Sequence, residues 1–362
     1  MKVDKLFLTF LVLSAVCLSV VLLSNKSPDV SAATPQQIPW LGFHDVVNGS
    51  VEATSDITVT YLNQWTQFLV DKGYTVLTYD ELYAYLTGAN QNPLPRRVVV
   101  LSFDDNYKGT CTYAEPRLRA LGLKATDFVH TNYVGVMTSK DHCNWTELQA
   151  MEAAGFVTAQ SHTKNHVDLT TLDAATRWAE ISGSKAALEG NLSKTVKFLA
   201  YPYGKTNTDV ITDAVNAGYF SAVLYNNAYA TVDSPEFEVP RLQVQSTDTM
   251  TTFKTKVLYK PDMFVQNIAM SKVTGSKKYA KATVTLMDED SALVSGATVT
   301  VQWSGLVSGT STGTTSTSGV VILSSPTTRS SGTITATVTN VVKTGWNYNS
   351  TRNVETSDSI VV

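Results

Sequence analysis

Two short stretches of this chain gather side chains that bind metals. Ser161-His162-Thr163-Lys164-Asn165-His166 carries two histidines four residues apart. On one helical turn that spacing points both imidazoles the same way, so they can share one metal. Leu101-Ser102-Phe103-Asp104-Asp105 ends an apolar run in two adjacent acids. Two histidines and one carboxylate make a three-ligand site with positions left for water, the arrangement of a hydrolytic metal. The second acid would crowd the cation as a ligand and is better placed as the base that takes the water's proton. Either stretch alone is weak. An Asp-Asp pair is usually a solvated turn, and a lone histidine pair is often a surface accident. A third stretch, Phe198-Leu199-Ala200-Tyr201-Pro202-Tyr203-Gly204, runs from apolar residues into a turn that Pro and Gly fix. An N–H freed there can face a developing oxyanion; by itself, the stretch reads as an ordinary strand-to-helix turn.

The elements around these stretches alternate. Tyr61, Leu62, Trp65, Phe68 and Leu69 recur at helical spacing until Gly73, and Thr78 with Glu81 forms a capping box before the next helix. Arg97–Phe103 reads as a strongly apolar strand, then helix 114–121, strand 125–129, helix 146–154, strand 156–160, a helix around Trp178, Ile181 and Leu188, strand 196–200, helix 209–217 and strand 220–224. Continuous apolar strands separated by helices predict an α/β domain with a parallel sheet, and their number suits a barrel. In such a barrel the C-terminal strand ends form the active face, and all three stretches sit there.

The length of 362 residues allows two domains. A net charge of −3 implies neither nucleic acid nor an anionic surface as partner. Lys2 and Lys5 precede an apolar run from Leu6 to Leu23, and Ser31-Ala32-Ala33 offers a cleavage site. Residues 1–33 therefore read as a signal peptide or a single-span anchor, with the rest extracellular or at the cell surface. Beyond that leader only Cys111 and Cys143 remain, compatible equally with a disulfide or with two separate buried thiols. Residues 251–275 read as a linker, and 276–362, rich in Thr, Ser, Gly and Val, as a small Ig-like β-sandwich with strands at Ala282–Leu286, Ala297–Trp303, Gly319–Leu323 and Thr333–Val338.

Together, the three stretches resemble the NodB-type polysaccharide deacetylases, carbohydrate esterase family 4. Ser102–Asp105, His162–His166 and Tyr201-Pro202-Tyr203-Gly204 each match one of that family's motifs, and Trp145–Leu148 through Gly155-Phe156 resembles its lead-in to the histidines. The resemblance covers roughly 38–250 and implies a distorted (β/α) barrel of NodB type. It implies Asp104 as base, Asp105, His162 and His166 as ligands of a divalent metal such as zinc, and the Tyr203 N–H in the oxyanion hole. The implied activity is hydrolytic N-deacetylation of an N-acetylglucosamine-type polysaccharide.

The sequence departs from the family pattern at three points. Asn106 replaces a usual Gly, a change expected at the rim of the cleft. Ala200 and Tyr201 occupy the region of an Arg that braces the base, for which Arg241 in Val239-Pro240-Arg241-Leu242 is a candidate replacement. The usual late histidine acid is missing, since no histidine follows His166. Deacetylases of poly-β-1,6-N-acetylglucosamine instead use a histidine near the first strand and also read Tyr-Pro-Tyr-Gly. Trp40-Leu41-Gly42-Phe43-His44-Asp45 matches, which makes His44 the expected acid with Asp45 as a neighbour. His130 and His142 have no motif and read as structural or surface residues. Two other functions remain open: a carbohydrate-binding surface protein on a silent deacetylase fold, and a deacylase of O-acetyl esters. Oligomeric state is not legible.

Overall fold

A computed structural model describes residues 35–362. The expected leader, 1–33, lies outside the described residues. Among those described, no helix is long and apolar enough to cross a membrane.

The first region runs β1 (Trp40–Phe43), β2 (Val46–Val47), β3 (Ile57–Thr58), α1 (Val59–Asp71), β4 (Thr75–Leu77), α2 (Tyr79–Leu86), β5 (Val98–Asp104), α3 (Glu115–Leu121), β6 (Ala125–Val129), α4 (Trp145–Ala154), β7 (Val157–Ser161), α5 (Ala174–Leu192), β8 (Phe198–Ala200), α6 (Thr208–Asn216), β9 (Ser221–Val223), β10 (Leu242–Gln243) and α7 (Met250–Lys256). Its main sheet has the order β10-β1-β5-β6-β7-β8-β9, with β4 joined to β5, and these pairings are parallel. A bridge between Val223 and Val239 carries β9 toward the segment that becomes β10. The sheet thus curls round on itself as a distorted barrel, as expected. Every residue of β5 is buried, because helices cover one face and the barrel interior fills the other. Local sequence signals set the helix starts: capping boxes of Thr78 with Glu81 and of Asn144 with Glu147 satisfy the first free N–H groups of α2 and α4.

The second region runs β11 (Asp262–Val273), β12 (Tyr279–Asp288), β13 (Thr298–Gly305), β14 (Gly309–Thr314), β15 (Val320–Ser324), β16 (Thr333–Val342), β17 (Asn347–Tyr348) and β18 (Ser357–Val361). Two four-stranded sheets, β15-β12-β11-β17 and β14-β13-β16-β18, share one apolar core that includes Val284, Leu286, Trp303 and Ile334. The stretch 251–275, expected to be a linker, is built into both regions. It holds most of α7, whose Phe253 stacks on Trp65 of the barrel, and β11, which pairs along β12. The first four residues of β11 are all buried and the later ones alternate only weakly, so the sequence showed no clear strand there.

Charged pairs close the seam between the regions. Arg96 Nη2 lies 2.5 Å from Asp262, and Lys72 Nζ 2.5 Å from Asp290. Arg97 Nη2 donates to Glu289 Oε1 at 2.9 Å, and Tyr259 Oη donates to the same oxygen.

Candidate active site

The three stretches converge at the C-terminal ends of β5, β7 and β8. Asp105 Oδ1 lies 3.5 Å from His162 Nε2 and 3.5 Å from His166 Nε2. One donor atom from each of the three residues fits within 4.8 Å of the others, the separation expected of ligands about 2 Å from one shared ion. His162 Nδ1 bonds to the carbonyl of Ala200 at 2.8 Å, which fixes the ring and leaves Nε2 facing the cluster. Burial lowers the His162 pKa to about 4, so at neutral pH no proton competes for that nitrogen. Burial alone would raise the Asp105 carboxyl, but the imidazoles of His162, His44 and His166 outweigh it and hold the group at about 2. Asp105 Oδ1 is buried without a hydrogen-bond partner. An orphaned anionic oxygen facing two imidazoles is a donor set that suits a divalent cation, zinc by its N,N,O composition.

The backbone at this rim is unusual. Asp105, Asn106, Thr163, His166 and Tyr203 all have φ between 52° and 76°, the left-handed region that residues other than Gly rarely adopt. Such conformations cluster where side chains must be aimed.

Asp104 is almost wholly buried, and Arg241 grips both its oxygens, Nη1 to Oδ1 at 2.7 Å and Nη2 to Oδ2 at 2.8 Å. Burial would raise its carboxyl, yet the Arg241 guanidinium holds it below the usual range, so it stays ionised. Arg241 Nη1 also donates to Ser102 Oγ at 3.0 Å, and Trp40 Nε1 donates to the same oxygen at 3.0 Å. The replacement brace expected at Arg241 is therefore in place. Asp104 Oδ2 lies 3.9 Å from His162 Nε2, just outside the three-residue cluster.

His44 stands at the end of β1, its ring 5.5 Å from that of Tyr225, and its Nδ1 is buried without a partner. Asp45 does not attend His44. Its carboxylate pairs with Lys140 Nζ at 3.2 Å, which also reaches Asp56. Tyr203 extends its exposed ring beside His166, 4.7 Å between centroids.

Sequence reasoning missed several neighbours. Tyr225 lies under the guanidinium of Arg241, 4.5 Å from it, and donates to the carbonyl of Gly42 at 2.5 Å. It also packs so closely on Gly204 that a Cβ there would come within 2.6 Å of the Tyr225 amide nitrogen. Tyr225 thus touches the segments of the expected acid and the brace through its ring and the oxyanion turn through its backbone. His130 and His142, read as structural or surface residues, instead line the cleft of about 460 Å³ that contains Asp105, His166 and Tyr203. Asn106 lies at the rim but beneath its surface. It is fully buried, its left-handed backbone suits Asn as it would Gly, and its Nδ2 donates to the carbonyl of Cys143 at 3.0 Å. Cys143 is joined to Cys111 in a disulfide. A larger groove of about 630 Å³, beside Asn63 and Arg117, lies away from these residues.

Comparisons with known proteins agree with this geometry. Residues 91–222 match the family model for polysaccharide deacetylase. YxkH of Bacillus subtilis, named for the same family, is 26% identical over 225 residues, 61% of this chain and 77% of its own length. The poly-β-1,6-N-acetyl-D-glucosamine N-deacetylase of Staphylococcus aureus is 27% identical over 173 residues, 45% of this chain and 60% of its own. Among solved structures, the Streptococcus pyogenes deacetylase PplD in complex with acetate superposes with a TM-score of 0.56 at 27% identity, covering 62% of this chain and 99% of that one.

Proposed function

We propose that this chain, which carries a polysaccharide deacetylase domain of the NodB type and is thus a hydrolase of amide C–N bonds, removes acetyl groups from an N-acetylglucosamine polymer. The observation that carries the reading is the Asp105–His162–His166 cluster beside an Asp104 held ionised by Arg241.

Asp105, His162 and His166 would hold a divalent cation, whose chemistry is to acidify water and polarise a carbonyl. Asp104 takes the proton from water as the water oxygen attacks the acetyl carbon. The Tyr203 N–H turns toward the oxygen that becomes negative. His44 hands a proton to the departing nitrogen, leaving a free amine on the sugar and acetate in solution. Arg241 and Tyr225 position the base and the acid and touch neither reactant.

A β-1,6-linked polymer is the preferred substrate. Support comes from the strand-end His44, the Tyr201–Gly204 turn and the printed activity of the staphylococcal relative. An exported location is supported by the leader-like residues 1–33 and by the Cys111–Cys143 disulfide, which persists in oxidising compartments.

Full-length protein supplied with zinc or cobalt should release acetate from N-acetylglucosamine oligomers, faster from β-1,6- than from β-1,4-linked ones. Asp104→Asn should slow release by about 10²- to 10⁴-fold, and His162→Ala should abolish both release and metal retention. Unchanged release in both variants would sink the reading, and faster turnover of O-acetyl esters than of amides would move it to ester chemistry.

A further inference from the structure

His130 is the least explained group in the cleft. It follows β6 directly, is 6% exposed, and neither ring nitrogen has a hydrogen-bond partner. Buried polar side chains are almost always bonded; both nitrogens lie covered just beneath the cleft wall, so this unbonded ring gains a partner when a small turn brings one of them to the cleft. It is not one of the three residues that cluster as metal ligands, and its ring lies 6.0 Å from that of His166.

Its surroundings are aromatic and fixed. The His130 ring lies 4.6 Å from Tyr133 and 5.0 Å from His142, and Tyr107 lies 5.1 Å from His142. The segment after His130 is tied to the histidine loop, with Thr131 N–H donating to Thr163 O at 3.1 Å and Asn132 N–H to Lys164 O at 3.0 Å. The far side of the wall is pinned by His142 Nδ1 on Val136 O at 2.7 Å and by Cys143 N–H on Asn106 O at 3.0 Å. This wall is preorganised, and it does not rely on a partner to order it.

We propose that His130, set in the Tyr107–His142–Tyr133 wall, is a positioning residue that hydrogen-bonds a hydroxyl of the sugar ring bearing the acetyl group. The inference rests on the N-deacetylation reading for its substrate class. A pyranose offers apolar C–H faces to flat rings and hydroxyls at its edge. An imidazole always carries at least one N–H, so it can donate to such a hydroxyl. Contact at this point would set how the acetamide approaches the cluster, with no part in the bond-breaking itself.

The test uses zinc-loaded full-length protein and two readouts: turnover of an N-acetylglucosamine tetramer, and calorimetric binding of the deacetylated tetramer, which is not consumed. His130→Phe and His130→Leu both remove the nitrogens, and melting curves identify a folded one. The folded variant should keep one zinc per chain and bind the product about tenfold more weakly, with a KM raised by about as much and a kcat little changed, as for one lost hydrogen bond. His130→Gln, which keeps a donor and an acceptor, should recover most of the binding. Product binding equal to the parent, loss of zinc, or failure of Gln to restore binding would each overturn the proposal. So would a parent protein that does not bind the tetramer. A parent that binds product but releases no acetate would defeat the deacetylase reading alone, since the binding comparison still decides His130.

Discussion

The barrel rim and the C-terminal sandwich are built from opposite materials. The rim buries Asp104, Asp105, Asn106, Asp127, His162 and Arg241. Asp127 has neither carboxylate oxygen bonded, and burial, then Asp104 and Asp105, push its carboxyl well above the usual range. The sandwich core is Val, Ala, Leu, Ile, one Met and one Trp, and its buried polar groups are bonded, as Thr315 is to the carbonyl of Val294 at 2.8 Å. Among the described residues, every buried side-chain atom without a partner lies in the barrel region, none beyond Tyr201. Five left-handed residues other than glycine sit in or directly beside the three site stretches, against Ser291 alone within the sandwich. A fold accepts strain and unpaired charge where something must bind, and nowhere else without cost. The contrast marks the rim as the working surface and the sandwich as support.

The sharpest way to break that contrast is to impose the same energetic loss on both sides. Arg241→Met strands the Asp104 carboxylate in the interior, and removing one member of a buried ion pair costs about 3–5 kcal/mol. Trp303→Ala opens a cavity in the sandwich at a similar cost of about 3–5 kcal/mol; Trp303 is fully buried, with its Nε1 on Ser311. Melting curves should show both losses. Acetate release, measured well below the melting transition, should fall only for Arg241→Met, which frees the base from its two bonds. If Trp303→Ala slows the folded enzyme equally, the sandwich does more than support.

The disulfide asks how much of the rim's order is imposed from outside it. Cys111–Cys143 closes a loop with a sequence separation of 32, for which chain entropy predicts about 3–4 kcal/mol. It also holds the His142 segment against Asn106. Replacing both cysteines by Ala should lower stability by that amount and weaken tetramer binding, while metal affinity at Asp105, His162 and His166, which follow β5 and β7, should be unchanged. Zinc lost in parallel with the disulfide would show that the two parts of the rim are not separable.

How far the sequence spoke follows the same division. The parallel strands, the metal cluster and the Arg241 brace were readable because each depends on local spacing or on a motif. Continuous apolar runs gave β5 and β7, and the histidine motif gave His162 and His166, but they sit on a non-helical loop with Thr163 and His166 left-handed, and not on the helical turn their spacing suggested. His130, His142 and Tyr225 were not readable, because their roles come from loops folded across the barrel mouth, and no periodicity encodes that. β11 was lost for another reason: its outer half is solvent-exposed on alternate residues and its inner half is buried without alternation, so 251–275 read as a linker. Asn106 was read as a rim substitution, but it bonds a segment remote in the sequence.

The seam between the two regions gives the smallest expected effect and the finest test of the contrast, because its charges meet in ion pairs that are only partly buried. Glu289 accepts from Arg97 and from Tyr259. Burial would raise its carboxyl above the ordinary value of 4.5, but the bonds from Arg97 and Tyr259 outweigh burial and lower it. A carboxyl depressed in the folded state stabilises at pH values above its unfolded pKa. That contribution is lost as pH falls below 4.5 and through the lower folded value. Glu289→Gln should therefore cost about 1–3 kcal/mol at neutral pH, the worth of hydrogen bonds to a charged group. The gap between parent and variant melting temperatures should narrow as the solution is acidified below pH 4.5. Acetate release should not change, since the seam lies apart from the rim. A gap that stays constant with pH would mean that shape, and not charge, holds the two regions together.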